Sequence, residues 1–211
     1  MPASPRRALI VIDVQEEYVT GDLPIEFPPI AESLANIGAA MDAAREAGIP
    51  VIVVQNHAPA GAPLFAKGSP TWELHDVVRA RPHDHYLEKT LPSAFTETDL
   101  AEWLGTRGVD TLAVVGYMTH NCVDSTIKHA MHAGLAVEFL ADASGSVPYE
   151  NAAGRVSAEV IHRTFCVVLQ SRFAAVTDTR AWVAAIRGEA PAPTRGTIYD
   201  SNQRARGRHP K

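Results

Sequence analysis

The sequence predicts an α/β fold, a three-layer α/β/α domain around a mostly parallel central sheet. Three observations carry that reading. Short apolar runs alternate with longer amphipathic segments along most of the chain. The first run, Ala8 to Val14, is apolar enough to be a buried strand. A length of 211 residues suits one such domain and would cramp two.

The elements follow in order. After the strand Ala8–Val14, Ile30 to Ala47 has the periodicity of a helix. The turn Gly48-Ile49-Pro50 opens a second strand, Ile49 to Gln55. Residues 57–72 hold several Pro and Gly and read as a long loop. His83–Lys89 is a short strand, Asp99–Gly105 a helix and Thr111–Val115 a strand. Cys122–Ala133 is a helix, Leu135–Leu140 a strand and Ala152–Phe165 a helix. Phe173–Val176 is a strand, and Thr179–Arg187 closes the domain as a helix. Residues 1–187 are therefore expected to form one domain. In sheets of this kind, sites form where loops leave the carboxyl ends of strands. Chemistry is expected just after Val14, Gln55, Glu88 and Val115.

Residues 188–211 change character, being rich in Pro, Gly and Arg, with five Lys/Arg against two acids. That composition reads as a tail, expected to serve as an oligomerisation arm on a neighbouring subunit. The chain as a whole is 46% hydrophobic and 20% charged, with 19 Lys plus Arg against 24 Asp plus Glu and a net charge of −5. A generally basic nucleic-acid binder is disfavoured. Two cysteines cannot make a disulfide framework. Asp13 interrupts the short apolar stretch that follows Arg6 and Arg7, no cleavage site follows, and no segment approaches the ~20 apolar residues of a membrane span. A cytoplasmic protein with no membrane partner is expected.

Three strand ends deliver reactive groups. Asp13 follows Leu9-Ile10-Val11-Ile12, and Lys89 follows His85-Tyr86-Leu87-Glu88. Cys122 lies in Gly116-Tyr117-Met118-Thr119-His120-Asn121-Cys122, where a strand gives way to a helix. A thiol at a helix N-terminus feels the positive end of the dipole, and a nearby Lys89 ammonium would add to that, so a thiolate is expected. Asp13 could take the proton, and the same loop offers backbone N–H groups for an oxyanion.

This ordered set resembles the isochorismatase-like cysteine hydrolases, a family that includes nicotinamidases, N-carbamoylsarcosine amidases and ureidoacrylate amidohydrolases. The resemblance runs from about Arg7 to Ile186. It rests on Val11-Ile12-Asp13-Val14-Gln15, on Glu88-Lys89-Thr90-Leu91-Pro92-Ser93-Ala94-Phe95 and on Gly116-Tyr117-Met118-Thr119-His120-Asn121-Cys122-Val123. The loop around Met118, Thr119 and His120 is most similar to the streptothricin hydrolase type. The resemblance implies Cys122 as nucleophile, Asp13 as proton carrier and Lys89 as the charge that stabilises both. It also implies an oxyanion hole from the N–H groups of Met118 and Cys122, and a cis Tyr117–Met118 peptide. Vinyl-ether-cleaving isochorismatases lack the cysteine, so Cys122 favours hydrolysis of a C–N, amide-type bond through a thioester.

Nicotinamidases bind a divalent metal through an Asp-x-His pair and a later His. The matching place here reads Gln55-Asn56-His57, with His75 available later. Neutral amide oxygen is a poor zinc ligand, so no cofactor is expected and a metal is disfavoured. His83 and His85 alternate along a strand without a third ligand. Tyr18, Phe27, Phe65 and Trp72 lie in loops near the active edge and could line an apolar cavity. His57, His120 and Asn121 are placed to meet a small-molecule substrate. Cys166, in Phe165-Cys166-Val167-Val168, reads as packing, and His129 and His132 as the outer face of their helix.

Other classes fit less well. A haloacid-dehalogenase-like phosphatase needs a second Asp where Gln15 stands, and no G-x-G-x-x-G run follows a strand. A hydrolase of another small-molecule bond, or a catalytically silent binding protein on the same scaffold, remains the alternative. A homodimer or homotetramer is expected.

Overall fold

A computed structural model of the chain describes residues 5–208. Six strands form one sheet in the order β3-β2-β1-β4-β5-β8, and every adjacent pair is parallel. They are β1 (Arg7–Ile12), β2 (Val51–Asn56), β3 (His85–Lys89), β4 (Thr111–Tyr117), β5 (Ala136–Gly145) and β8 (Ala175–Thr177). The helices are α1 (Ile30–Glu46), α2 (Asp76–Arg79), α3 (Leu100–Thr106), α4 (Asp124–His132), α5 (Ala158–Gln170), α6 (Thr179–Ile186) and α7 (Ile198–Ala205).

Strand alternation splits the core in two. Ile10, Ile12, Ile52, Val54 and Val114 pack with Leu100, Leu104, Ile127 and Leu169, so α3, α4 and α5 cover one face. Leu9, Val11, Val53 and Val115 pack with Ile37, Met41, Val78 and Trp182, so α1, α2 and α6 cover the other. Burial on both faces is why the strands read as unbroken apolar runs. The three layers agree with the expectation from sequence. Among the described residues no helix is long and apolar enough to cross a membrane.

Some boundaries move for local reasons. β1 ends at Ile12, two residues before Val14, because Asp13 adopts φ +52 and turns out of the strand. The segment expected to start a helix at Ala152 instead forms a hairpin of β6 (Tyr149–Asn151) and β7 (Gly154–Val156). Asn151 Oδ1 accepts the Ala153 N–H at 2.8 Å and Gly154 takes φ +137, so turn chemistry overrides the two alanines. The helix begins only at Ala158, capped by Ser157, and runs on to Gln170. His83 lies outside β3, its ring against Tyr86.

The tail carries a helix that composition does not suggest. Thr197 caps α7 by accepting the Asp200 N–H, and Gly196 N–H donates to Gln170 O at 2.8 Å. The helix α7 keeps Ile198 and Tyr199 exposed. Residues 209–211 of the expected arm lie outside the described residues.

The sheet's two central strands, β1 and β4, are paired up to the edge of the predicted site. Ile12 pairs with Gly116, which has φ +108. A Cβ there would sit 2.1 Å from Ile12 O, so only glycine lets the strands close. The variant Gly116→Ala is expected to lose about 3 kcal/mol or more, lowering the thermal midpoint by roughly 6 °C or more. Thermal denaturation followed by circular dichroism checks this, and an unchanged midpoint would contradict the packing.

Candidate active site

The carboxyl ends of β1, β2, β3 and β4 form one rim, at the point where the strand order reverses direction about β1 and β4. Asp13 leaves β1 in a left-handed conformation that Asp tolerates better than branched residues do. Its N–H still donates to Val54 O at 2.9 Å, which ties the turn to the sheet. Lys89 is the last residue of β3 and pairs with Asn56 of β2, so its side chain reaches across β2 toward β1. Cys122 sits in a single π-helical turn, Thr119–Val123, between β4 and α4.

These three side chains meet. Lys89 Nζ lies 2.7 Å from Asp13 Oδ2 and donates to Cys122 Sγ at 3.2 Å. The Asp13 and Lys89 side chains have no solvent exposure, and Cys122 retains 6%. Asp13 Oδ1 has no hydrogen-bond partner among the described residues, leaving that oxygen free to accept a proton.

The electrostatics correct one expectation. The thiol was expected to ionise readily, yet burial and then the Asp13 charge push Cys122 up to about 12, and the opposing Lys89 ammonium does not compensate. Burial also raises Asp13, against the pull of Lys89. Lys89 stays an ammonium because Asp13 and Cys122 outweigh its own burial. Burial is the main physical reason that the thiol stays neutral, and charge balance adds to it. An ionised Asp13, a protonated Lys89 and a neutral thiol sum to zero, whereas a thiolate beside an ionised Asp13 would leave one uncompensated negative charge in a water-poor site. The proton rests on sulfur and can pass to Asp13 without changing the total.

The turn around the sulfur has a defined donor arrangement. The Tyr117–Met118 peptide is cis, as the resemblance implies. Asn121 and Val123 N–H both donate to Met118 O, at 3.1 and 3.2 Å, so those donors are committed within the turn. Met118 and Cys122 are both buried beside it.

Residues weighed for a metal are engaged elsewhere. Gln55 Nε2 donates to Trp72 O at 2.8 Å, and its Oε1 accepts from Tyr86 Oη at 2.8 Å. His75 Nδ1 accepts the Val77 N–H and caps α2. His57 Nε2 lies 3.7 Å from Glu88, which also binds Lys67. Among the described residues no group of three or more His, Cys, Asp or Glu could hold a metal ion. His85 pairs with Asp99 at 2.9 Å and stacks on Trp103.

The aromatic candidates separate. Tyr18 packs against Phe65 and Tyr117, with ring centroids 5.3 and 5.5 Å apart. Burial, with the charges of Cys122 and Asp13 adding to it, holds the Tyr18 phenol well above its ordinary value. Trp72 lies under Lys67, and its carbonyl accepts from both Gln15 and Gln55. Phe27 instead turns toward α5, edge-on to His162 at 5.5 Å and under Arg163. His120, two residues before Cys122, is bonded to Ser146 Oγ at 3.0 Å, and burial lowers it to about 4, so it is neutral. Its Nε2 is buried without a partner among the described residues.

Sequence reasoning missed two contributors. Tyr149, on the hairpin, meets His120 edge-on at 5.0 Å, and its phenol is raised by burial and then by the Cys122 charge. Gln15 spans the rim by bonding both backbone groups of Asn56, each at 2.9 Å. The hairpin's turn, Asn151 to Gly154, was the available signal for Tyr149. His129 and His132 are exposed on α4 as expected, and Cys166 packs partly buried against the core.

The chain as a whole is similar to known proteins. The Isochorismatase domain family matches residues 7–181. A candidate isochorismatase from Burkholderia xenovorans LB400, known by crystal structure, is 69% identical with a TM-score of 0.95, covering 97% of this chain and 98% of that one. Streptothricin hydrolase of Streptomyces noursei is 36% identical over 65% of this chain and 49% of its own length. Ureidoacrylate amidohydrolase of Methylobacterium radiotolerans is 31% identical over 88% of this chain and 81% of its own length.

The charge balance makes a prediction about pH. Below its pKa, thiolate grows about tenfold per pH unit. Iodoacetamide alkylation of Cys122, located by peptide mass, is therefore expected to climb steadily from about pH 7 to 10. A plateau below pH 8 would show a resting thiolate and contradict a thiol held protonated.

Proposed function

Because the chain belongs to the isochorismatase family, and is a hydrolase of that family, we propose that it cleaves a C–N, amide-type bond of a small molecule through a Cys122 thioester. The observation that carries this reading is the contact of Lys89 Nζ with Asp13 at 2.7 Å and with Cys122 at 3.2 Å. Relatives named as an amidohydrolase and as streptothricin hydrolase support the choice of bond.

The tasks divide among few residues. Asp13 takes the proton from Cys122 as sulfur attacks the carbonyl carbon, so the buried charge stays balanced. The developing oxyanion is received by the N–H groups of Met118 and Cys122. Asp13 then gives its proton to the leaving nitrogen, and the C–N bond breaks to leave the thioester. A water molecule, deprotonated by Asp13, attacks the thioester and returns the thiol. Throughout, Lys89 holds Asp13 in place and offsets the negative charge as it moves between carboxylate and sulfur. Tyr18, Trp72, Tyr149 and neutral His120 form the surroundings in which the substrate is recognised.

The test is a panel of small amides, carbamoyl compounds and lactams assayed for ammonia or amine release. The variant Cys122→Ala is expected to abolish turnover, and Asp13→Asn to lower kcat by about 10²–10⁴-fold. Both should melt as folded proteins. Hydrolysis retained by Cys122→Ala would refute the nucleophile.

A further inference from the structure

A second polar cluster is buried behind the nucleophile turn, apart from the three groups that do the chemistry. Thr119 is the first residue of the turn, directly after Met118 and three before Cys122. Its Oγ1 is hydrogen-bonded to Ser144 Oγ of β5 at 2.7 Å and to His162 Nδ1 of α5 at 2.9 Å. Thr119 and Ser144 have no solvent exposure, and His162 has 4%. The far nitrogen of His162 lies 3.5 Å from Cys166 Sγ.

Three buried polar groups are an expensive way to fill a core, since each loses its water and must find a partner of fixed direction. Apolar side chains of similar volume would pack as well, so what the cluster adds is direction. It pins the start of the turn to two different elements, one in the sheet and one in the outer layer. Burial lowers His162 to about 4, so it is a neutral ring rather than a proton carrier.

We propose that His162 is a positioning residue: through Thr119 it fixes the turn that presents Cys122 Sγ and the Met118 and Cys122 N–H groups to the carbonyl. This rests on the hydrolase reading for its effect on turnover, but not for its effect on sulfur presentation. Loss of a fixed orientation at reacting atoms costs on the order of 10–100-fold in rate.

The experiment compares His162→Phe, His162→Asn and His162→Gln in two readouts, the rate of Cys122 alkylation located by peptide mass and steady-state hydrolysis. His162→Phe is expected to lower kcat and slow alkylation about 10–100-fold, with KM within about twofold of the parent. Asn sets a polar atom near Nδ1 and is expected to restore most of both rates, whereas Gln reaches toward Nε2 and is not. Should His162→Phe fail to fold, Thr119→Val asks the same question from the other end of the bond. A folded His162→Phe, or Thr119→Val in its place, with parental alkylation and kcat would overturn the proposal. Altered alkylation in a protein that hydrolyses no amide would leave the positioning role standing and remove the hydrolase reading.

Discussion

The ion pair between Asp13 and Lys89 is the constraint on which the rest of the site depends. Two full charges are buried 2.7 Å apart with no exposed surface on either side chain. Separately, each would be costly to keep out of water. Together they sum to zero, and a thiolate beside them would add an uncompensated charge unless its proton passed to Asp13. Burial holds the sulfur protonated against the pull of Lys89, the neighbouring carboxylate adds to that, and it supplies the acceptor once a carbonyl arrives. The raised thiol is thus a consequence of burial first and of the Asp13 charge second, and it gives the site a proton to move without building net charge.

The fold makes the pair affordable by fixing its frame before any side chain is placed. Asp13 is held by its N–H on Val54, Lys89 by strand pairing with Asn56, and both are bridged by Gln15 bonding Asn56. Gly116 lets β4 lie against β1 closely enough for the turn beyond it to reach the same rim. Thr119, Ser144 and His162 then secure that turn from behind. Each link is a backbone or buried polar contact with little freedom, which suits a site whose reacting atoms must meet within hydrogen-bonding distance.

Much of this was legible in the sequence because it rests on local patterns. Unbroken apolar runs located the strands, and three short motifs at strand ends named Asp13, Lys89 and Cys122. What the sequence hid were the terms set by three-dimensional company. Helix position and a nearby lysine argued for thiolate, but the degree of burial and the Asp13 charge, invisible in a string, decided otherwise. The pair Ala152-Ala153 suggested helix, while Asn151 and Gly154 enforced a hairpin that delivers Tyr149. His162 lies 43 residues from Thr119, and nothing local marks it as a partner.

Infrared spectroscopy of the resting protein at neutral pH tests the location of the thiol proton most directly. Subtracting the spectrum of Cys122→Ser isolates the S–H stretch of Cys122 from that of Cys166, and isotopic labelling of aspartate reports on Asp13. A Cys122 S–H band beside an ionised Asp13 carboxylate is the predicted result. Absence of that band, with a protonated Asp13, would mean that the proton rests on the carboxylate and that the ordering of the site's charges is reversed.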